Sequence, residues 1–421
     1  MATDVDVQYF SHLNGLTLGN NWGDLIRLLD KALVTGIDFT QITAASIDAQ
    51  GDVHITLYAA HNAMLFQVVE LSGFTPSSLN QKYRIKGVPN TTQLILKPQN
   101  AIAGTTITTR GTGRLAPLGY EIIFRDANDV KRVYRAKNPS AQHPFIRVDE
   151  SLASDTGSYN SNYAKYAMVG LLENMEHIDD YENPDVLQLP FDPANPAKNW
   201  KITGTGASVV RGWSIWVYAK AGTGSNSTTD SATPQNGNRA FSLVGDCDAF
   251  YLLNQPGYEF ISVKCLRGCG LFNSTGADAH LPPWFLFSHY KPVSAGTSYS
   301  LISSETAAPL QISASVGASY CLKAHPATSK GVVETRPIMP DFESGRTGLY
   351  TNSSVAALEI PFADTDKLLR GSYKHVCYSG NTTASINTTP ILSESSMYIS
   401  DSACASSGAV GGFYFYLGEF K

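Results

Sequence analysis

Cys265 and Cys269 stand four residues apart, and Cys321 and His325 repeat that spacing. Thiols and an imidazole in closely spaced pairs are what a tetrahedral zinc site uses, so this Cys3His set is the first chemical candidate. Its halves lie far apart in sequence, and buried thiols in a β core account for the same residues more simply. Asp246-Cys247-Asp248 is the second candidate. Two carboxylates at a strand break could face a metal or a sugar, yet Asp beside Gly245 more often builds a turn or bulge. The acidic run of Asp179, Asp180, Glu182 and Asp185 could hold calcium. It lacks the glycine and the ligand spacing of a calcium loop and reads as a solvated loop.

The sequence holds no G-x-S-x-G elbow, phosphate-binding glycine loop, dinucleotide fingerprint or H-E-x-x-H helix. Its nine histidines (His12, His54, His61, His143, His177, His280, His289, His325 and His375) are scattered, and none pairs locally with a nucleophile. No catalytic, cofactor-binding or metal-binding residue is therefore assigned, and no cofactor is expected.

Composition narrows the class further. The formal net charge is −5 with no Lys/Arg-rich run, so nucleic acid is not an expected partner. No apolar run reaches membrane-spanning length, so no membrane partner is expected either. Only 16% of residues are charged, and Ser, Thr, Asn and Gly fill the deficit. Such a surface suits β-rich proteins that touch other proteins better than a freely diffusing enzyme. The first residues lack a basic stretch followed by an apolar one, so no signal peptide is expected. In a reducing cytosol the six cysteines are free thiols, and the Asn-x-Ser/Thr triplets are by-products of polar loops.

A chain of 421 residues exceeds one hydrophobic core, so more than one domain has to position these groups. The expected fold is mainly β with a few helices. An N-terminal β-sandwich-like module, Ig-like or a small barrel, is followed by a larger antiparallel β-rich domain. The division falls at 1–140 and 141–421, with a sub-boundary near 295. The clearest helix covers 22–34, where Trp22, Leu25, Ile26, Leu29 and Leu33 make one apolar stripe, Asn20 or Asn21 caps the start, and Gly36 ends it. Strands follow at 52–58, 65–71, 83–88, 93–97 and 105–109, at the rhythm of a sandwich or small barrel. Residues 120–126 and 130–136 form a hairpin around Ala127-Asn128-Asp129, and 145–149 is a strand. Residues 163–175 have mixed periodicity and read as helix, and 179–200 as ordered loop. Further strands are expected at 260–265, 284–287, 298–303, 311–315, 319–324 and 413–416.

Two runs dominate the second unit: RGWSIWVYAK (211–220) and RAFSLVGDCDAFYLL (239–253). Both alternate over strand length and read as paired antiparallel strands, with 222–238 as a mobile surface loop between them. Trp216 and Tyr218 lie opposite Trp213 in this pattern, so both faces of the sheet are covered, by another domain or by a neighbouring subunit. The candidate interface therefore comprises Trp216 and Tyr218 with Ser225, Asn226, Thr228, Gln235 and Asn236 of the loop.

Several segments in order resemble one family. They are FIRVDE (145–150), YAMVGLLENMEHID with Met175-Glu176, Pro190 before the lone Trp200, RGWSIWVYAK and FSLVGDCDAFYLL. They resemble structural proteins of tailed bacteriophages and prophages, encoded among tail and baseplate genes. In that family an R-V-D-[DE] strand precedes a YE-x-M helix, a Pro/Trp segment, and an R-x-W strand paired with a G-D-x-x-x-F-Y-L strand. Leu368-Leu369-Arg370-Gly371 is similar to a later family feature, although Ser372-Tyr373-Lys374 depart from its small-Pro-Gly continuation. DVHITLYAAHNAMLFQVVELSGF with NQKYRIKGV resembles a β-module common in phage tail proteins, with Asn62-Ala63 in place of the usual glycine after His61. The resemblance covers most of 39–253 and thins toward the C-terminus.

It implies a virion component assembled in a host cytoplasm, with no catalytic residues to carry over. Its partners would be other tail or baseplate proteins and further copies of itself, in a ring or trimer. The alternative is a receptor-binding protein at the tail tip, with host receptor as partner. An enzyme acting on cell-surface polysaccharide is the third reading.

Overall fold

Along Val53–Leu57, Val53, Ile55 and Leu57 are buried while His54 and Thr56 face partly outward, as period-two alternation dictates. The same pattern recurs through the N-terminal part of the computed structural model. That structure describes residues 3–104, 106–154, 157–158, 160–204, 210–212, 214–221, 227–229, 232–258, 264–275, 281–290, 298–300, 318–322, 331–338, 357–378, 387–404 and 411–421. The protein is mainly β, and its sheets are antiparallel.

Strand β1 (Gln8–Ser11) precedes the helix α1 (Asp24–Leu29), which widens into one π-type turn over Asp30–Thr35. Seven strands then build a curled half-barrel: β2 (Ile37–Asp38), β3 (Ile42–Ile47), β4 (Val53–Leu57), β5 (Val68–Ser72), β6 (Lys82–Asn90), β7 (Gln93–Pro98) and β8 (Thr112–Leu115). Their spatial order is β2-β8-β5-β6-β7-β4-β3. The apolar stripe of the helix packs against the inward-facing residues of this sheet. Leu25, Ile26, Leu29 and Leu33 share one core with Val53, Ile55, Tyr83, Ile85, Leu94 and Leu96.

Gly36 ends the helix as expected, at φ +70°. A Cβ there would lie 2.1 Å from the carbonyl oxygen of Leu115, so only glycine lets β8 pass this close. The cap differs from expectation. Gly23 is the N-cap and no side chain of Asn20 or Asn21 caps the helix. The Glu150 carboxylate, brought in from the larger sheet, takes that role. The expected strand at 105–109 is not formed by the described residues there; Thr109 makes only an isolated bridge to Thr75.

The larger sheet begins with the expected hairpin. Strands β9 (Tyr120–Arg125) and β10 (Lys131–Ala136) pair, and Asp126 Oδ1 accepts from the backbone of Val130 and Lys131 to close the turn. Next comes β11 (Phe145–Asp149), then Lys165–Leu172, then Ser214–Ala219, each hydrogen-bonded to the last. Ser214–Ala219 continues onto Trp284–Tyr290, where the sheet branches. One arm runs through Cys265–Leu271, Ala249–Asn254 and Phe241–Gly245 to β1. The other runs through Ala318–Leu322, Val332–Pro337 and Leu358–Asp364 to Leu369–Tyr378, Gly411–Glu419, Ser396–Cys404 and Thr389–Ser393.

Three expectations are corrected here. Residues 163–175 are not helical: Lys165–Leu172 is a central strand, and all eight residues are buried. A strand covered on both faces has no polar side, so its apolar run loses the alternation that distinguishes strand from helix. The two dominant runs do not pair with each other. Ser214–Ala219 lies between Lys165–Leu172 and Trp284–Tyr290, whereas Phe241–Gly245 folds back through 246–248 onto Ala249–Asn254. A three-residue turn forms a local hairpin at less entropic cost than closing the long 222–238 loop. That loop is also not structureless throughout, because Ser227–Thr229 pairs with Ser298–Ser300. Strands at 284–290, 298–300, 318–322 and 411–419 match the expected ones. The expected strand at 311–315, and most of that at 260–265, lie outside the described residues.

Candidate functional site

The turn at 246–248 gathers side chains from two distant segments, the connector before β11 and the strand Leu369–Tyr378. Asp246 Oδ1 accepts from the backbone N–H of Asp248 (2.8 Å) and Ala249 (3.0 Å), an Asx arrangement that makes this aspartate a turn former. Gly245 fits the crossing, since a Cβ there would meet the Ala249 carbonyl at 2.2 Å. The outer carboxylate oxygens are committed too. His375 Nε2 lies 2.8 Å from Asp246 Oδ2, and His143 Nε2 lies 2.8 Å from Asp248 Oδ1. Lys374 donates to Asp248 Oδ2.

Electrostatics follow from these contacts. Burial pushes the Asp246 carboxyl up, but the His375 hydrogen bond and charge more than offset this and hold it below the ordinary range. Asp248 behaves alike: burial raises it, and Lys374 and His143 prevail. Glycoside cleavage needs one carboxyl kept protonated. Neither carboxyl of this pair meets that requirement. Partial desolvation and the flanking aspartates hold the Cys247 thiol above its ordinary value, so it is protonated at neutral pH.

The turn opens on a cleft of about 520 Å³ lined by Glu70, Lys82, Arg114, Tyr120, Cys247 and Asp248 among others. It lies where the half-barrel strands β5, β6 and β8 approach β9 and the turn. Arg114 and Glu70, cross-strand neighbours on β8 and β5, pair along its wall.

The other candidates disperse. Cys265, Cys269 and Cys321 are buried, each in a different packing cluster, and His325 lies outside the described residues. Burial pushes the Cys321 thiol up to about 12. Asp179 is tied to Lys131 (2.9 Å) and Arg147 (2.7 Å), and Asp180 accepts from the Glu176 backbone, so the acidic loop forms no oxygen cage.

Of the candidate interface residues, Trp216 and Tyr218 are each 1% exposed and offer no surface to a neighbour. Trp216 packs edge-on against Phe250 at 5.9 Å, and the Tyr218 hydroxyl bonds to Glu150. Gln235 and Asn236 are exposed, and Asn236 accepts from Asn20 at 2.9 Å. Thr228 lies in Ser227–Thr229, while Ser225 and Asn226 lie outside the described residues.

Sequence reasoning missed a set of buried contacts among the motif residues themselves. Arg147 of FIRVDE stacks its guanidinium over Trp200 (4.5 Å) and Tyr181 (4.7 Å), and bonds to Asp149 (2.9 Å). Gly170 leaves room for Trp200, whose ring a Cβ would touch at 2.8 Å. Arg211 lies over Trp22 (4.5 Å) and Tyr166 (4.8 Å). Glu150 accepts from Gly23 N (2.6 Å), Ile26 N (2.9 Å) and Tyr218 Oη (2.6 Å). The conjunction of Arg, Trp and Glu in apolar runs was the available signal, because charged residues are rarely buried without partners.

No family model matches the sequence, and no curated protein matches it. Among solved structures, the phage phi92 endosialidase aligns over 99% of this chain at 10% identity with a TM-score of 0.13. The alignment takes in 52% of that protein, so the chain spans about half its length.

Proposed function

We propose that the chain is a non-catalytic structural component of a tailed-bacteriophage particle, in the tail or baseplate region, working through protein–protein contacts with other tail proteins and with its own copies. The observation that carries this reading is where the motif residues sit. The segments that resemble phage tail proteins meet one another: FIRVDE on the Trp200 segment, FIRVDE on RGWSIWVYAK, and RGWSIWVYAK on Tyr166. Their charged groups hold strands and helix together, so the motif describes an architecture and not a reaction. The hydrogen bond that ties Asp246 to His375 and the ion pair of Asp248 with Lys374 agree with that division of labour.

The test is quantitative mass spectrometry of purified particles from a host carrying the gene. The chain should co-purify with other tail proteins at a fixed stoichiometry, and antibody to it should decorate tails in electron micrographs. A chain that stays in the soluble lysate and is absent from purified particles overturns the reading.

A further inference from the structure

We propose that His143, Cys247 and Asp248 form a binding site for one zinc-class divalent cation, a property separate from the structural role above. Each offers one ligand atom, and the three atoms lie within 4.8 Å of one another. Zinc bonds of about 2.0–2.3 Å in a tetrahedron place ligand atoms roughly 3.3–3.8 Å apart. Cys247 Sγ lies 3.9 Å from Asp248 Oδ1, close to that requirement. His143 Nε2 lies 2.8 Å from the same oxygen, so that contact must open slightly to admit the ion. One nitrogen, one sulfur and one oxygen make a borderline set. Calcium and magnesium, which take oxygen, do not suit it.

The surroundings supply what such a site needs. Ser140 Oγ lies 2.9 Å from His143 Nδ1 and can accept its proton. On binding, the ring proton moves from Nε2 to Nδ1 and is donated to the Ser140 hydroxyl, and the Ser140 backbone N–H, which donates to Nδ1 at 2.8 Å in this structure, must turn away from the ring. The thiol proton leaves to solvent. Lys374 stays on Asp248 Oδ2, which leaves Oδ1 as a single ligand atom. His143 closes the buried side, while Cys247 and Asp248 line the cleft, so the fourth position opens to water. The ion would tie the connector before β11 to a hairpin 105 residues away.

The experiment uses the full chain, stripped with a chelator and titrated with zinc by calorimetry and with cobalt(II) by absorption. We expect one equivalent of zinc and a sulfur-to-cobalt charge-transfer band. Cys247→Ser should abolish the band and weaken zinc binding at least about tenfold, as should His143→Ala. Cys247 is exposed and serine is nearly isosteric, so the variant keeps the fold, and the cobalt spectrum of the unaltered chain needs no variant at all. Uptake of less than one equivalent, or a charge-transfer band that survives in Cys247→Ser, overturns the assignment.

Discussion

The Tyr218 hydroxyl lies 2.6 Å from Glu150 Oε2 and 2.8 Å from the Asn21 carbonyl, so it can donate to either oxygen. Glu150 is fully buried, and its other hydrogen bonds come from the Gly23 and Ile26 backbone at the start of the helix. Ionised, it accepts from all three donors. Protonated, it can donate to the tyrosine, which then turns to Asn21. Burial raises this carboxyl from 4.5 to about 7, although the three hydrogen bonds and the Arg211 charge pull it back.

The sign of the pH dependence follows. A carboxyl that holds its proton more tightly when folded contributes stability that is fully present below its unfolded value and lost as pH rises through about 7. The whole effect is on the order of 3 kcal/mol. Glu150→Gln places an amide against the Gly23 N–H and should cost about 1–3 kcal/mol. The stability gap between wild type and this variant should be widest near pH 4.5 and shrink toward pH 8. Urea midpoints of both proteins at several pH values read it directly, and a constant gap would refute the account.

Arg147 and Trp200 should be energetically coupled. Trp200→Ala should cost about 3–5 kcal/mol through the cavity it leaves. A double-mutant cycle with Arg147→Lys should return at least about 0.5 kcal/mol of interaction, because the lysine loses the planar stack. Additive effects in denaturant unfolding would remove the stack as a stabilising contact.

Two glycines that share a positive φ should respond differently. Gly36 (φ +70°) faces the Leu115 carbonyl, whereas Gly51 (φ +84°) has open space around it. Gly51→Ala should cost only the left-handed backbone penalty, about 1–2 kcal/mol. Gly36→Ala should cost more, because the clash forces β8 away from the helix. Equal shifts in melting temperature would mean that β8 yields freely.

Asp401 and Lys264 form an ion pair with both side chains wholly buried. Asp401 also accepts from Ser242 (2.7 Å), whose hydroxyl continues through Thr388 to Ser11 of β1. Asp401→Asn removes the charge that balances Lys264 and should cost about 3–5 kcal/mol. Replacement by asparagine with no measurable change in unfolding free energy would show that the pair is not needed for the junction of the C-terminal strands with β1.

The sequence alone determined the elements whose periodicity is unambiguous. Val53–Leu57 alternates because one face meets the helix, the stripe from Leu25 to Leu33 marks that helix, and Gly36 stops it because no other residue fits. The aspartate of the 246–248 turn was legible as a turn former for the same local reason. Tertiary structure decided the rest. Lys165–Leu172 carries no polar face to read, so only its neighbours on both sides make it a strand. The partners of Asp246 and Asp248 come from His143, Lys374 and His375, over 100 residues away. Glu150 caps a helix whose start lies more than 120 residues upstream. Side-chain pairing across such separations depends on sheet order and register. Each strand here has several chemically acceptable neighbours, and the choice among them is made by the packing of the whole.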